Sequence, residues 1–208
     1  MVAESFAAVT FVGVRIAVLV SGSGTLLEAM IGARLPLSLV VSDRPCRGLQ
    51  IAEESGVEAE LLHRRDFGPG FDRDAYAHEM TNLLEEHAID VVAMAGFGTV
   101  LGASIFDALP GRIVNAHPSL LPSFPGWHAV RDALDFGVRV TGCTIHVATL
   151  NVDHGPILAQ EAVAVREADD EASLHERIKT VERRLYVETL REIHARGHVL
   201  DPMFEEIS

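Results

Sequence analysis

The chain reads as an α/β protein: a mainly parallel sheet flanked by helices, with an antiparallel addition towards its C-terminal end. Three observations predict this. The run Ile16-Ala-Val-Leu-Val20 is continuous and apolar, and it breaks at Ser21-Gly22-Ser23-Gly24 before the stripe Leu26, Leu27, Met30. That order is strand, turn, helix. Strand-like and helix-like segments then alternate as far as His117, as a parallel sheet with right-handed crossovers requires. Beyond it the rhythm changes, and two strand-like segments are joined by a loop without a helix between them.

Each element has its own signal. After the first strand and its helix, Pro36–Val41 is a second strand and Leu49–Ser55 a short helix closed by Gly56. Glu58–Leu62 is a third strand. Arg73–His87 is a long helix with Tyr76, Met80, Leu83 and Leu84 on one face. Ile89–Ala95 is a buried strand, Gly102–Leu109 a short helix and Ile113–His117 a further strand. Trp127–Phe136 reads as a helix ended by Gly137. Val140–Val147 and Ile157–Val165 are the antiparallel pair, and Glu171–Arg196 is a long charged helix with Leu174, Ile178, Val181, Leu185 and Leu190 inward.

A length of 208 residues suits a single domain, 1–208, with room for a substantial core. No linker, repeat or low-complexity segment divides it. Residues 1–13 read as an N-terminal extension, open to disorder; the stretch from Phe6 to Val20 lacks a basic start, follows Glu4 and contains Arg15, unlike a secretory signal. No stretch reaches the ~20 apolar residues of a membrane span. A net charge of −13 argues against broad nucleic-acid binding, while a local nest of amides or a few Arg side chains can still hold a small anion. Cys46 and Cys143 are too far apart for a disulfide framework or zinc site and suit a reducing compartment, here the cytoplasm. The oligomeric state is left open, a homodimer included.

The chemistry concentrates in Asn115-Ala-His117-Pro-Ser-Leu-Leu-Pro122 and Asp153-His-Gly-Pro156. On a strand, residues two apart point to the same face, and the prolines after His117 end the strand in an ordered loop. An amide that hydrogen-bonds a carbonyl oxygen, an imidazole beside it and a carboxylate from another segment suit acyl transfer without a covalent intermediate. A carboxylate near His117 favours the imidazolium. Alone, Asn-x-His fits a strand end with a turn-forming Asn and a satisfied His. His146 lies among apolar residues and reads as a core histidine; His128 is no stronger. No His-Glu-x-x-His or other metal spacing is present, and no Ser-His-Asp order.

Two glycine loops follow strands. Ser21-Gly22-Ser23-Gly24-Thr25 can cradle a phosphate on backbone N–H groups at a helix start, although a tight turn without a ligand is the default for a lone Gly-x-Gly. The third glycine of the dinucleotide fingerprint and the Gly-Lys-Ser/Thr of a P-loop are both missing. Gly96-Phe97-Gly98-Thr99-Val100-Leu101-Gly102 invites the same guess.

These pieces, with Ala95-Gly-Phe97, Pro125-Gly-Trp-His128 and Gly142-Cys-Thr-Ile-His146, resemble the folate-dependent formyltransferases over nearly the whole chain. The resemblance implies a Rossmann-like formyltransferase fold. It also implies transfer of a formyl group from 10-formyltetrahydrofolate, a co-substrate, to the amine of glycinamide ribonucleotide in purine biosynthesis, with no metal. Asn115, His117 and Asp153 would be catalytic. Gly24, Thr25 and Leu26 would hold the ribose phosphate, with Leu26 standing where the family commonly has Asn. Lys179 and Glu182 would face the glycinamide substrate, Lys179 replacing an uncharged amide residue. Arg73, Gly98, Thr99, Val100, Leu101, Thr149, Leu150, Asn151 and Val152 would bind the folate, Gly98-Thr99 replacing a longer Met-Arg pair; without the resemblance Arg73 is a solvated helix-start residue. Relatives that formylate initiator tRNA carry an added C-terminal domain, and formyltetrahydrofolate hydrolases an N-terminal one, for which this length leaves no room. A hydrolase-like enzyme and a non-catalytic folate or nucleotide-binding module stand as the alternatives.

Overall fold

The computed structural model describes residues 10, 11 and 13–200, so most of the expected extension over 1–13 lies outside the described residues. Seven strands form one sheet in the order β3-β2-β1-β4-β5-β6-β7. They are β1 (Ile16–Val20), β2 (Leu37–Ser42), β3 (Ala59–Leu61), β4 (Val91–Met94), β5 (Ile113–His117), β6 (Val140–Val147) and β7 (Ile157–Ala164). The first five are parallel, and β6 and β7 add to the β5 side antiparallel. The helices are α1 (Thr25–Gly32), α2 (Arg47–Glu54), α3 (Arg73–Glu86), α4 (Ala103–Ala108), α5 (Ala129–Phe136) and α6 (Glu171–Arg196).

The expected elements all form, with shifts at their ends that have local causes. β4 is shorter than Ile89–Ala95. At its start the Ile89 amide still closes the end of α3 on the Leu84 carbonyl at 2.9 Å; after it the chain turns at Gly96, whose φ is 72°. α5 begins at Ala129 rather than Trp127, because the loop before it is held at Gly126 by Asp153. α6 starts where a capping box between Asp170 and Ser173 satisfies its first amides, and it ends at Gly197 in the left-handed conformation.

Two apolar layers cover the sheet. Leu26, Leu27 and Met30 of α1, Ile51 of α2, Val130 of α5 and Leu174, Ile178, Tyr186 and Leu190 of α6 pack on one face. Tyr76, Met80 and Leu84 of α3 and Ile105 of α4 pack on the other. Val181 and Leu83, expected inward, sit at the margins and are only partly buried. Phe11 docks against the end of α6, its amide 2.6 Å from the Gly197 carbonyl.

One point of this topology positions the site. The chain leaves β1 towards β2 and β3, then returns to β4 on the opposite side of β1. Loops leaving β1 and β4 therefore diverge at their C-terminal ends and open a crevice, the usual ligand position in such sheets. β5 extends that crevice, and the β6–β7 hairpin forms its far wall.

Candidate functional site

A cleft of about 470 Å³ occupies this crevice. Its middle is built by β5 and the hairpin. The β5–β6 register sets Asn115 opposite His146 and His117 opposite Thr144. Directly opposed residues of an antiparallel pair share a face, so the two candidate residues of β5 acquire partners from β6. The Thr144 hydroxyl donates to the Ser119 carbonyl at 2.7 Å and accepts the Leu121 amide at 3.1 Å. This anchors the loop that the prolines force after His117.

His146, expected to be an ordinary core histidine, is a member of the site. It is buried, and its Nε2 lies 3.2 Å from Asn115 Nδ2. An amide nitrogen is only a donor, so Nε2 accepts. Nδ1 then carries the ring proton and donates to the Val147 carbonyl at 3.0 Å. Burial pushes the His146 pKa below its ordinary value, in keeping with this neutral tautomer. One Nδ2–H of Asn115 is thereby committed to His146, leaving the other for the cleft. The register opposite Asn115 is the signal that finds His146, and a strand list without pairing does not contain it.

Asp153 reaches the same spot from the loop between β6 and β7. Its Oδ2 accepts the Gly126 amide at 2.7 Å and lies 3.4 Å from His117 Nδ1, while Oδ1 is 3.6 Å from His146 Nε2. The last distance is too long for a hydrogen bond. His117 Nε2 donates to the Phe124 carbonyl at 2.8 Å, so both of its nitrogens face oxygen. Asp153 and Phe124 both adopt left-handed backbone, with φ of 61° and 55°. For non-glycine residues this conformation is strained and is held by the surroundings.

One end of the cleft is the turn after β1. Gly24 has φ 74° and caps α1 without any side-chain hydrogen bond, so the first amides of the helix have no side-chain acceptor. A Cβ at Gly24 would lie 2.9 Å from Gly48 Cα, so close packing of α2 also demands glycine there. Gly24, Thr25 and Leu26 line the cleft opposite His175, Lys179, Glu182 and Arg183 of α6. Those four recur at helical spacing on one face. His175 and Arg183 were absent from the sequence reading, though their period with Lys179 and Glu182 marks them. Burial raises the Glu182 pKa, against the pull of Lys179 and Arg183. Burial, then Lys179, lowers that of His175. Tyr186 on the same helix donates to the Val114 carbonyl at 2.6 Å and ties α6 to β5 beside Asn115.

The other end is the loop after β4. Gly98, Thr99, Val100 and Leu101 line it, with Thr149, Leu150 and Val152 from the hairpin loop. The structure does not bring Arg73 or Asn151 to the lining. Arg73 is exposed at the first turn of α3, and Asn151 is exposed with its carbonyl taken by the Thr149 hydroxyl at 2.9 Å. His128 is exposed at the start of α5. Among the described residues no group of three or more His, Cys, Asp or Glu converges as metal ligands do, and no helix is long and apolar enough to cross a membrane.

The formyl transferase family profile matches residues 14–190. The chain is 42% identical over 188 residues to a phosphoribosylglycinamide formyltransferase of Mycobacterium tuberculosis, spanning 88% of this chain and 86% of that protein. It superposes on the glycinamide ribonucleotide transformylase 1 of Symbiobacterium toebii with a TM-score of 0.84 at 38% identity, covering 96% of this chain and 97% of the other. On the phosphoribosylglycinamide formyltransferase of Bacillus halodurans the TM-score is 0.80 at 39% identity, over 86% and 94% of the two chains.

Proposed function

The chain belongs to the formyl transferase family, and from that premise we propose how its cleft carries out the reaction. The activity is that of a phosphoribosylglycinamide formyltransferase of purine biosynthesis. The formyl group of 10-formyltetrahydrofolate passes to the amine of 5-phosphoribosylglycinamide, giving the formylated ribonucleotide and tetrahydrofolate.

The observation that carries the residue assignment is the position of Asn115, His117 and Asp153. They meet at the middle of one cleft, between an anion-suited turn and an apolar wall. In this reading the phosphate rests on the free amides of Thr25 and Leu26 at the start of α1, with the Gly24 amide beside them. Lys179, which donates to Glu176 at 2.9 Å across the surface of α6, turns to that phosphate. Glu182 takes the glycinamide side. The folate occupies the wall formed by Gly98–Leu101 and residues 149–152.

The amine attacks the formyl carbon, a nitrogen–carbon bond forms and the carbonyl oxygen becomes an oxyanion. The uncommitted Nδ2–H of Asn115 donates to it. The imidazolium of His117 supplies positive charge from the side. Its Nδ1 faces Asp153 at 3.4 Å, longer than a usual charge-assisted hydrogen bond, so its charge is only partly offset by that carboxylate. Asp153 receives the proton of the attacking amine through water. Collapse then breaks the bond to N10 of the folate, which takes up the proton held at Asp153 as it leaves. The free thiols of Cys46 and Cys143 fit the reducing cytoplasm as the place of this reaction.

Incubating the purified protein with 10-formyltetrahydrofolate, with and without 5-phosphoribosylglycinamide, tests the reading. Formylated ribonucleotide appearing in step with tetrahydrofolate is expected. Formate released at the same rate without the amine would make the protein a hydrolase, and absence of both products would leave a binding module.

A further inference from the structure

We propose that Phe136, an exposed aromatic residue at the end of α5, is a positioning residue for His117: it stacks on Phe124 and so holds in place the carbonyl that orients the imidazole. The inference rests on the role given to His117 in the reaction. His117 Nε2 donates to the Phe124 carbonyl at 2.8 Å, which turns Nδ1 towards Asp153. That carbonyl lies on a loop, so the aim of the ring is only as good as the hold on the loop. Hydrogen bonds pin the loop on either side of Phe124. Before it, the Gln160 side chain donates to the Leu121 carbonyl at 2.9 Å, the Ser123 amide bonds the Leu120 carbonyl at 3.0 Å and the Ser119 hydroxyl donates to the Ser123 carbonyl at 2.5 Å. After it, Asp153 holds the Gly126 amide at 2.7 Å.

Phe124 itself has no such pin. Among the described residues the bond from His117 is the only hydrogen bond it makes, and Pro125 after it has no N–H to offer. Its φ of 55° is a left-handed value that a residue with a Cβ leaves unless the surroundings hold it. Its ring belongs to neither apolar layer of the sheet. It meets the ring of Phe136 edge-on, with centroids 5.9 Å apart and planes at 65°, a favoured aromatic arrangement. Phe136 sits on the firmer side of this pair. α5 is anchored by the buried Ala129, Val130 and Ala133, and it stops at Gly137, whose amide bonds the Ala133 and Leu134 carbonyls at 3.2 and 3.0 Å. Phe136 is 79% exposed, so its ring contributes little to the core. An exposed phenylalanine is ordinary by itself. This one stands against the residue whose backbone His117 uses and which no other hydrogen bond secures.

Steady-state kinetics and melting curves on variants of the full chain test this. Phe136→Ala should lower kcat about threefold to tenfold, the range an aromatic pair supports, and leave both KM values within about twofold of the wild type. Its melting temperature should hardly move, because most of the ring is already in solvent. Phe136→Tyr, which keeps the stack, should hold the wild-type kcat. Phe124→Ala keeps the strained φ and lacks the ring, so it should lose as much as Phe136→Ala. Glycine adopts that φ without strain, so adding Phe136→Ala to Phe124→Gly should cost nothing further. Wild-type kcat in Phe136→Ala would overturn the proposal. So would a loss that appears in KM, one that comes with a large fall in melting temperature, or one that repeats in full in the Phe124→Gly background. A wild type that transfers no formyl group to the ribonucleotide would instead remove the reading of the reaction itself.

Discussion

Asn115 and His146 face each other across the β5–β6 ladder, amide nitrogen to bare ring nitrogen at 3.2 Å. An Asn side chain can turn its oxygen or its nitrogen to a given point, and an oxygen aimed at a forming oxyanion would repel it. An acceptor at His146 Nε2 selects the orientation that keeps nitrogen towards the cleft.

Removing that selection should lower turnover without weakening binding. His146→Phe should reduce kcat by about tenfold, less than the ~10²–10³-fold expected when an oxyanion donor is itself deleted, with both KM values little changed. His146→Gln, which keeps an acceptor, should recover part of the loss. A variant in which kcat holds and KM rises would place His146 in binding instead.

Asn115→Ala should cut kcat by about 10²–10³-fold and leave substrate binding near normal, as measured by steady-state kinetics and by titration of the unreacted ligands. Near-normal turnover would dismiss the oxyanion role.

Stability should follow the same histidine. Its pKa is depressed in the fold from the ordinary 6.5, so as pH falls below about 6.5 the unfolded chain binds a proton first and the folded state loses ground. Thermal melts from about pH 7 to pH 5 should show a decline that is shallower in His146→Gln. Parallel declines in the two proteins would assign the acid sensitivity to other groups.

Glu182 has the opposite sign. Its pKa is raised by burial from the ordinary 4.5, so as pH rises above about 4.5 the unfolded carboxyl ionises before the folded one and stability falls. Glu182→Gln should therefore melt higher than the wild type near pH 8 and converge with it near pH 4, while its KM for the glycinamide substrate rises by about tenfold. A wild type that melts as high as the variant near pH 8 would show that burial there is harmless.

At the β1 turn, Gly24→Ala meets two obstacles, a positive φ and a Cβ 2.9 Å from the Gly48 backbone. The expected result is a lower melting temperature and a KM for the ribonucleotide raised about tenfold or more, with the folate KM near normal. If both ligands weaken equally, the turn serves packing and not the phosphate.

The sequence carried the succession of strands and helices well. Ile16–Val20 and Ile113–His117 were legible to the residue because each is a buried apolar run broken by glycine or proline. Asn115, His117 and Asp153, which meet in one cleft, stand out in the sequence because their strings are distinctive. Less visible were features that exist only through pairing. His146 becomes part of the site because β6 runs antiparallel to β5 in one register. Arg64 meets Thr99 from behind the cleft because the loop after β3 bonds back to Asp43. Arg73, chosen by its place in a motif, starts a helix whose first turn is exposed to solvent. Periodicity reports which face of an element is apolar, and it carries no information on which other element that face will meet.

The bond from the Tyr186 hydroxyl to the Val114 carbonyl has a consequence for how the molecule is made. Every strand precedes α6 in the chain, so a nascent polypeptide halted at about residue 170 already contains every strand segment of the sheet. The cleft would nonetheless be incomplete, since the wall bearing Lys179 and Glu182 has not emerged and Val114, next to Asn115, has no clasp. Activity would then await the release and docking of α6, whose Leu174, Ile178, Tyr186 and Leu190 also cover one face of the sheet.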